Sequence, residues 1–222
     1  MMRTRTIRKA HEAPKEKTRF EVGDLRFASL LPHDEWHALP SAIRRRFSRR
    51  PARGEAIVYA GRVTDMHMTF AGRAFARFGI LIGGPLPLAD DADEAAIVSV
   101  TEDAEGGGQN WTRVYAKRRG FPQVIQSTKN FAGPTGLEEQ VSRGIGMALS
   151  VHEVKGALVF RSVSYFLKLG RLRMTLPSCL TPGRLTVTHR EEGGEQFSFL
   201  LEIDHPVFGQ IIRQFAVFHE VQ

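Results

Sequence analysis

The sequence predicts a mainly β protein, a strongly curved antiparallel sheet or partial barrel with two short helices against it. Three observations lead there. Downstream of residue 97 apolar and polar residues alternate in short runs, which is the period of a strand with one buried face. Glycine-rich turn signals separate the runs at 105–108, 133–136, 155–156 and 191–194, at about the spacing of a meander. A flat sheet of eight to ten such strands would leave long unprotected edges, so it has to curl or close.

Taken in order, residues 1–24 are polar, charged and aperiodic, and read as a disordered basic tail before one domain over 25–222. Trp36, Leu39, Ile43 and Phe47 recur at helical steps, with Asp34 or Ser41 as the cap and Pro51 and Gly54 as the stop. A strand-like run follows from Ala56 to about Met68. Phe70, Ala74, Phe75, Phe78 and Leu81 fit one face of a second helix, weakened by Gly72 and Gly79. The stretch from Gly83 to Pro87 has to turn. Strands are then expected over 97–101, 111–117, 121–129, 137–141, around Met147 to Val151, and over 157–163. Leu185 and Val187 mark another, followed by Phe197, Phe199, Leu201 and Ile203 on one face, and by a last strand over 211–218. No internal repeat interrupts this pattern.

Composition narrows the class. A chain of 222 residues, 42% hydrophobic and 25% charged, has enough material for one packed domain. The lone Cys179 excludes an internal disulfide and fits a reducing compartment, so a cytoplasmic location is expected. No run approaches the roughly 20 apolar residues of a membrane helix, and no apolar run follows the basic N-terminus as a secretory signal requires. The net charge of +7 is local: residues 1–22 carry seven Lys or Arg against three Glu, and residues 44–53 carry six Arg and no acid. Without those segments the body is slightly acidic.

One set of motifs resembles a known family. Trp111-Thr112-Arg113-Val114-Tyr115, Gly136-Leu137-Glu138, Leu176-Pro177, and His205-Pro206-Val207-Phe208-Gly209 before a closing aromatic strand follow one another at familiar spacing. Together they resemble the bacterial family called domain of unknown function 4166, over about residues 30–219. The resemblance implies no activity, cofactor or catalytic residue. It implies only that the domain stands alone or follows a saccharopine-dehydrogenase-like NAD(P)-binding domain, and so a possible oxidoreductase partner.

Chemical motifs are sparse. His33 and His37 have helical spacing for a shared metal, but Glu35 is misplaced for a zincin and Pro32 and Pro40 leave little helix, so no metal site is expected. Gly144-Ile145-Gly146 lacks the strand, third glycine and helix of a dinucleotide loop, so no cofactor is expected. Cys179, between Pro177 and Pro182, reads as a half-buried loop thiol rather than a nucleophile. Arg113 shares a strand face with Trp111 and Tyr115. If that face is inward, its guanidinium requires an acidic partner or an anionic ligand, and Glu138 is the partner the sequence suggests. The arginines of 44–53 lack aromatic interleaving or a recognition motif, which argues against nucleic acid.

The resulting expectation is a non-catalytic binding module. Trp111, Tyr115, Phe197, Phe199 and Phe215 would line an apolar cavity for a small lipid-like ligand, with Arg113 and Glu138 at its polar end. The alternatives are an enzyme using Arg113, Glu138 and a histidine as an acid–base set, and an accessory to nucleic acid or an anionic surface that uses the basic segments.

Overall fold

The structure, a computed structural model, describes residues 22–88, 92–103, 105–142 and 144–221. A two-strand ribbon, β1 (Val22–Gly23) with β2 (Arg49–Arg50), brackets two short helices, α1 (His33–Ala38) and α2 (Ser41–Phe47). The strands β3 (Ile57–Met68), β4 (Glu94–Glu102), β5 (Gln109–Tyr115), β6 (Gln123–Asn130) and β7 (Glu138–Ser142) follow. Then come β8 (Ile145–Val154), β9 (Ala157–Leu169), β10 (Leu172–Thr175), β11 (Arg184–Gly193), β12 (Gln196–His205) and β13 (Gly209–Glu220). The helix α3 (Phe70–Gly79) connects β3 to β4.

Ten of these strands form a closed antiparallel barrel in the order β9-β11-β12-β13-β3-β4-β5-β6-β7-β8, with β8 paired back to β9. The barrel is thus complete, where the sequence allowed for a partial one. Closure depends on β9, whose 13 residues pair with β8 along one edge and with both β11 and the extra strand β10 along the other. Register slips at Thr64 in β3 and Val163 in β9 add the coiling that lets a long sheet meet itself. No free edge remains among the ten barrel strands.

The expected first helix is two. Pro40 has no backbone N–H and forces Leu39 into an extended conformation (φ −67°, ψ 143°), which ends α1 and starts α2. Neither Asp34 nor Ser41 caps; Pro32 and Pro40 occupy those positions. Both helices plug the lower end of the barrel. Trp36, Leu39, Ile43 and Phe47, with Phe27, join one apolar cluster with Leu137, Leu149, Leu158 and Phe160 of the barrel wall. Of the tail expected over 1–24, residues 1–21 lie outside the described residues. Val22 and Gly23 pair in β1, and Asp24 is buried, accepting from Arg26 Nε at 2.9 Å.

The second helix also departs from its expected orientation. Phe70, Phe78 and Leu81, expected on one apolar face of a helix set against the sheet, are exposed, and α3 packs through Gly72 and Ala76. The reason is a close approach: a Cβ at position 72 would lie 2.2 Å from the Ile211 carbonyl oxygen, so only glycine lets α3 sit on β13. Thr69 caps the helix by accepting from the Gly72 N–H at 3.2 Å. Of the expected apolar face, Phe75 does turn inward, its ring 5.3 Å from that of His205. Among the described residues no helix is long and apolar enough to cross a membrane.

The arginine-rich segment 44–53 is largely engaged by the fold. Arg46, Arg49 and Arg50 form ion pairs with Glu191, Glu220 and Glu102. Arg46 also places its guanidinium 3.9 Å above the Phe197 ring, closing the barrel from below.

Candidate functional site

Inside the barrel, above the plug, lies a cavity of about 300 Å³. That is near the lower end of the ~300–1,000 Å³ typical of small-molecule pockets. One wall, from β11 and β12, is apolar and contributes Leu185, Val187, Phe199 and Leu201. The opposite wall, from β5, β6 and β7, carries a compact polar cluster: Arg113, Ser127, Lys129 and Glu139.

Strand register assembles that cluster. Lys129 and Glu139 are directly opposite on β6 and β7, and Arg113 sits diagonally from Ser127 across β5 and β6. Lys129 Nζ donates to Glu139 Oε2 at 2.8 Å, and Arg113 Nη2 to Glu139 Oε1 at 3.2 Å. The Ser127 hydroxyl donates to Oε1 at 2.6 Å and accepts from Arg113 Nη1 at 3.1 Å. Lys129 also stands 5.0 Å over the Trp111 ring. The cluster holds two cations and one carboxylate, so with all three ionised it carries one excess positive charge, with Lys129 and Glu139 buried and Arg113 partly exposed.

Electrostatics follow from that crowding. Burial pushes the Glu139 carboxyl up, but Lys129 and Arg113 outweigh it and hold the group down at about 2. Lys129 is shifted down by burial and by the Arg113 charge, with Glu139 opposing. Nearer the plug, His189 is fully buried and accepts at Nε2 from Arg46 Nη1 at 2.9 Å. Burial and then the Arg46 charge hold its pKa well below the usual imidazole value. Tyr165 borders the cavity, donates to the Gly183 carbonyl at 2.9 Å, and has its phenol raised by burial to about 12.

These shifts predict acid sensitivity. As pH falls below 6.5 the unfolded chain protonates His189 before the folded one does, and below 4.5 it protonates Glu139 first. The unfolded state then binds more protons, so stability falls with pH in both windows. The Glu139 shift corresponds to about 3 kcal/mol, lost between pH 4.5 and about 2. Urea midpoints measured from pH 7 to 2.5 should decline in two stages, and His189→Gln should flatten the upper stage. A midpoint independent of pH between 7 and 5 in the wild-type chain would contradict the His189 assignment.

The structure sorts the residues proposed from sequence into three groups. Trp111, Arg113, Tyr115 and Phe199 border the cavity. Phe197 is inward but lies beneath the cavity, its ring 5.1 Å from Tyr59 and 4.9 Å from His189. Phe215 and Glu138 do not border the cavity, although Glu138 is buried. Gln214 and Ala216 border the cavity, so Phe215 between them points to the outer face. Glu138 pairs outside the cavity with Lys168 and Arg173, and the acidic partner of Arg113 is its neighbour Glu139. Apolar Leu137 and Val141 flank Glu139 at a spacing of two, and that alternation was the available signal. Sequence reasoning missed Ser127, Lys129 and Gln214 as interior residues, and His189 beneath them.

The acid–base set of Arg113, Glu138 and a histidine is therefore not assembled, since Glu138 is on the other face of β7. Cys179 is exposed rather than half-buried, on the 3-10 turn Ser178–Leu180. The His33 and His37 rings stack at 4.0 Å, with His37 Nδ1 2.7 Å from the His33 carbonyl oxygen.

No curated protein and no solved structure matches the chain. A family profile, domain of unknown function (DUF4166), matches residues 39–218, which take in the barrel strands, α2, α3 and the Arg113–Glu139 cluster. The chain therefore belongs to the DUF4166 family.

Proposed function

We propose that this protein is a binding module that holds a small amphipathic molecule, with a carboxylate head and an apolar tail, inside the barrel. The observation that carries the reading is the pairing of an apolar cavity wall with one buried cluster bearing two cations against one carboxylate. A buried charge without a counter-charge is costly. A ligand carboxylate would neutralise the excess and accept hydrogen bonds from Arg113 or Lys129, while β11 and β12 cover its tail. The class of ligand is a medium-chain fatty acid or a similar isoprenoid acid.

Calorimetry with decanoate and with 1-decanol provides the test. Decanoate should bind, and 1-decanol should bind more weakly. Arg113→Ala leaves Lys129 and Glu139 as a neutral pair and should weaken decanoate by roughly 10- to 100-fold, the range of a charge-assisted hydrogen bond. Leu201→Trp fills the cavity from the opposite wall without touching the cluster, and should abolish binding while the thermal midpoint holds. Equal affinity for the acid and the alcohol would remove the head-group assignment. Failure of either to bind, together with native mass spectra showing no co-purifying small molecule, would overturn the reading.

A further inference from the structure

The two ends of the barrel differ in kind. At the lower end the charges are mixed: the β4–β5 and β11–β12 turns carry Asp103, Glu105, Glu192 and Glu195, while the β8–β9 turn carries Lys155 and the plug exposes Arg45 and Arg53. At the upper end the connecting segments 69–93, 116–122, 170–183 and 206–208 contain seven Lys or Arg against three Asp, at 90, 91 and 93, and so keep a positive balance. Those same segments expose large apolar side chains: Phe78 and Leu81 after β3, Phe121 after β5, Leu180 after β10 and Phe208 after β12. Phe121 is 92% exposed and Leu81 85%. Every described connection of more than two residues at that end thus presents at least one.

The helix α3 shows the inversion most directly. It buries Gly72, Ala76 and Gly79, while Phe70, Arg77 and Phe78 face outward. A helix on an aqueous surface does the reverse. Aromatic and aliphatic side chains interspersed with arginines on one outward face are the pattern of an element lying in the interfacial region of a bilayer. Contiguous exposed apolar surface of this kind marks an interaction site. The surrounding cations select its partner: Arg77, Arg119 and Arg171 are exposed, and Arg118 reaches Glu94 at 3.4 Å while itself largely exposed.

We infer that the α3 end of the barrel is a docking surface for an anionic lipid bilayer. The geometry ties the surface to the cavity. Phe78 and Leu180 are 72% and 70% exposed yet both border the cavity, so its opening lies between them. Docking would set that opening against the acyl region. A fatty acid at the interface could then enter carboxylate first, towards Arg113 and Lys129, with its tail trailing into the bilayer. This route rests on the ligand reading above, whereas the docking surface itself stands on the exposed side chains and charges alone.

Flotation of the full chain with phosphatidylcholine vesicles, and with vesicles containing 30% phosphatidylglycerol, tests the inference. The protein should float with the anionic vesicles at low salt, and binding should fall steeply as sodium chloride is raised, because exposed charges are screened. Phe78→Glu combined with Leu81→Glu should reduce flotation at least tenfold. Arg77→Glu combined with Arg119→Glu and Arg171→Glu should remove the preference for the anionic lipid. All five positions are exposed, so thermal midpoints should match the wild type and a folding defect is separately visible. Wild-type protein that stays in the dense fraction with both vesicles would overturn the proposal. So would a dimer in light scattering that Phe78→Glu with Leu81→Glu dissociates without any vesicle binding, since the face would then join two copies of this chain. The two readings fail separately: a barrel that binds decanoate but ignores vesicles loses the docking surface, and one that floats but binds no decanoate loses the ligand.

Discussion

Glu139→Gln is expected to lower the unfolding free energy by about 3–5 kcal/mol, the range for removing one partner of a buried ion pair. The carboxylate accepts from Lys129, Arg113 and Ser127 at once, and a neutral amide would leave two cations facing each other inside the barrel. Lys129 is the group able to relieve this, by giving up a proton that burial already weakens. Glu139→Gln combined with Lys129→Met should therefore recover much of the loss, because it removes a buried charge together with its counter-charge. Urea denaturation of the two single variants and the double variant at pH 7 measures this. Strict additivity of the two losses would mean that the pair is not coupled, and would remove the basis for an excess charge in the cavity. Glu138→Gln is the comparison for position: that side chain is also buried, but on the other face of β7, and its partners Lys168 and Arg173 are partly exposed and can turn to solvent.

Phe197→Ala should destabilise by a comparable amount, about 3–5 kcal/mol, for a different reason. The Phe197 ring is fully buried among Tyr59, Phe199, Phe218 and His189, with the Arg46 guanidinium on its face. Truncation leaves a void that closed strands cannot collapse into, and Arg46 loses the surface it stacks on. Because Phe197 lies beneath the cavity rather than in its wall, decanoate binding should persist in the variant. Phe215→Ala, on the outer face, should cost much less. A Phe197 variant that denatures like the wild type would contradict the packing of the lower barrel, and one that folds but binds no decanoate would return Phe197 to the ligand wall.

Much of the β architecture was legible because a strand with one buried face writes its period into the chain. The turn at 105–108 and the alternation through Phe197, Phe199, Leu201 and Ile203 correspond to the β4–β5 hairpin and to the inward face of β12. Family membership was legible too, since spaced motifs survive without any knowledge of contacts. The candidate site was half legible. Trp111, Arg113 and Tyr115 share a parity that the sequence displays, whereas the choice between Glu138 and Glu139 turns on a single step of register.

What remained beyond the sequence has one physical cause: it depends on what approaches from another part of the chain. Closure required β13 to find β3, strands from opposite ends of the chain whose pairing no local pattern encodes. The shared apolar face of Phe70, Phe75, Phe78 and Leu81 was legible, but not which side of α3 would pack, because hydrophobicity says nothing of whether Gly72 will meet the Ile211 carbonyl first. Lys129 and Arg46 look like surface charges in a linear reading, and only the closed barrel and its plug bring them to Glu139 and His189. Local pattern determines which strands form and which faces are apolar, since both follow from neighbours along the chain. Which apolar face is covered, and which charges meet inside, follow from long-range packing and were decided by the tertiary structure.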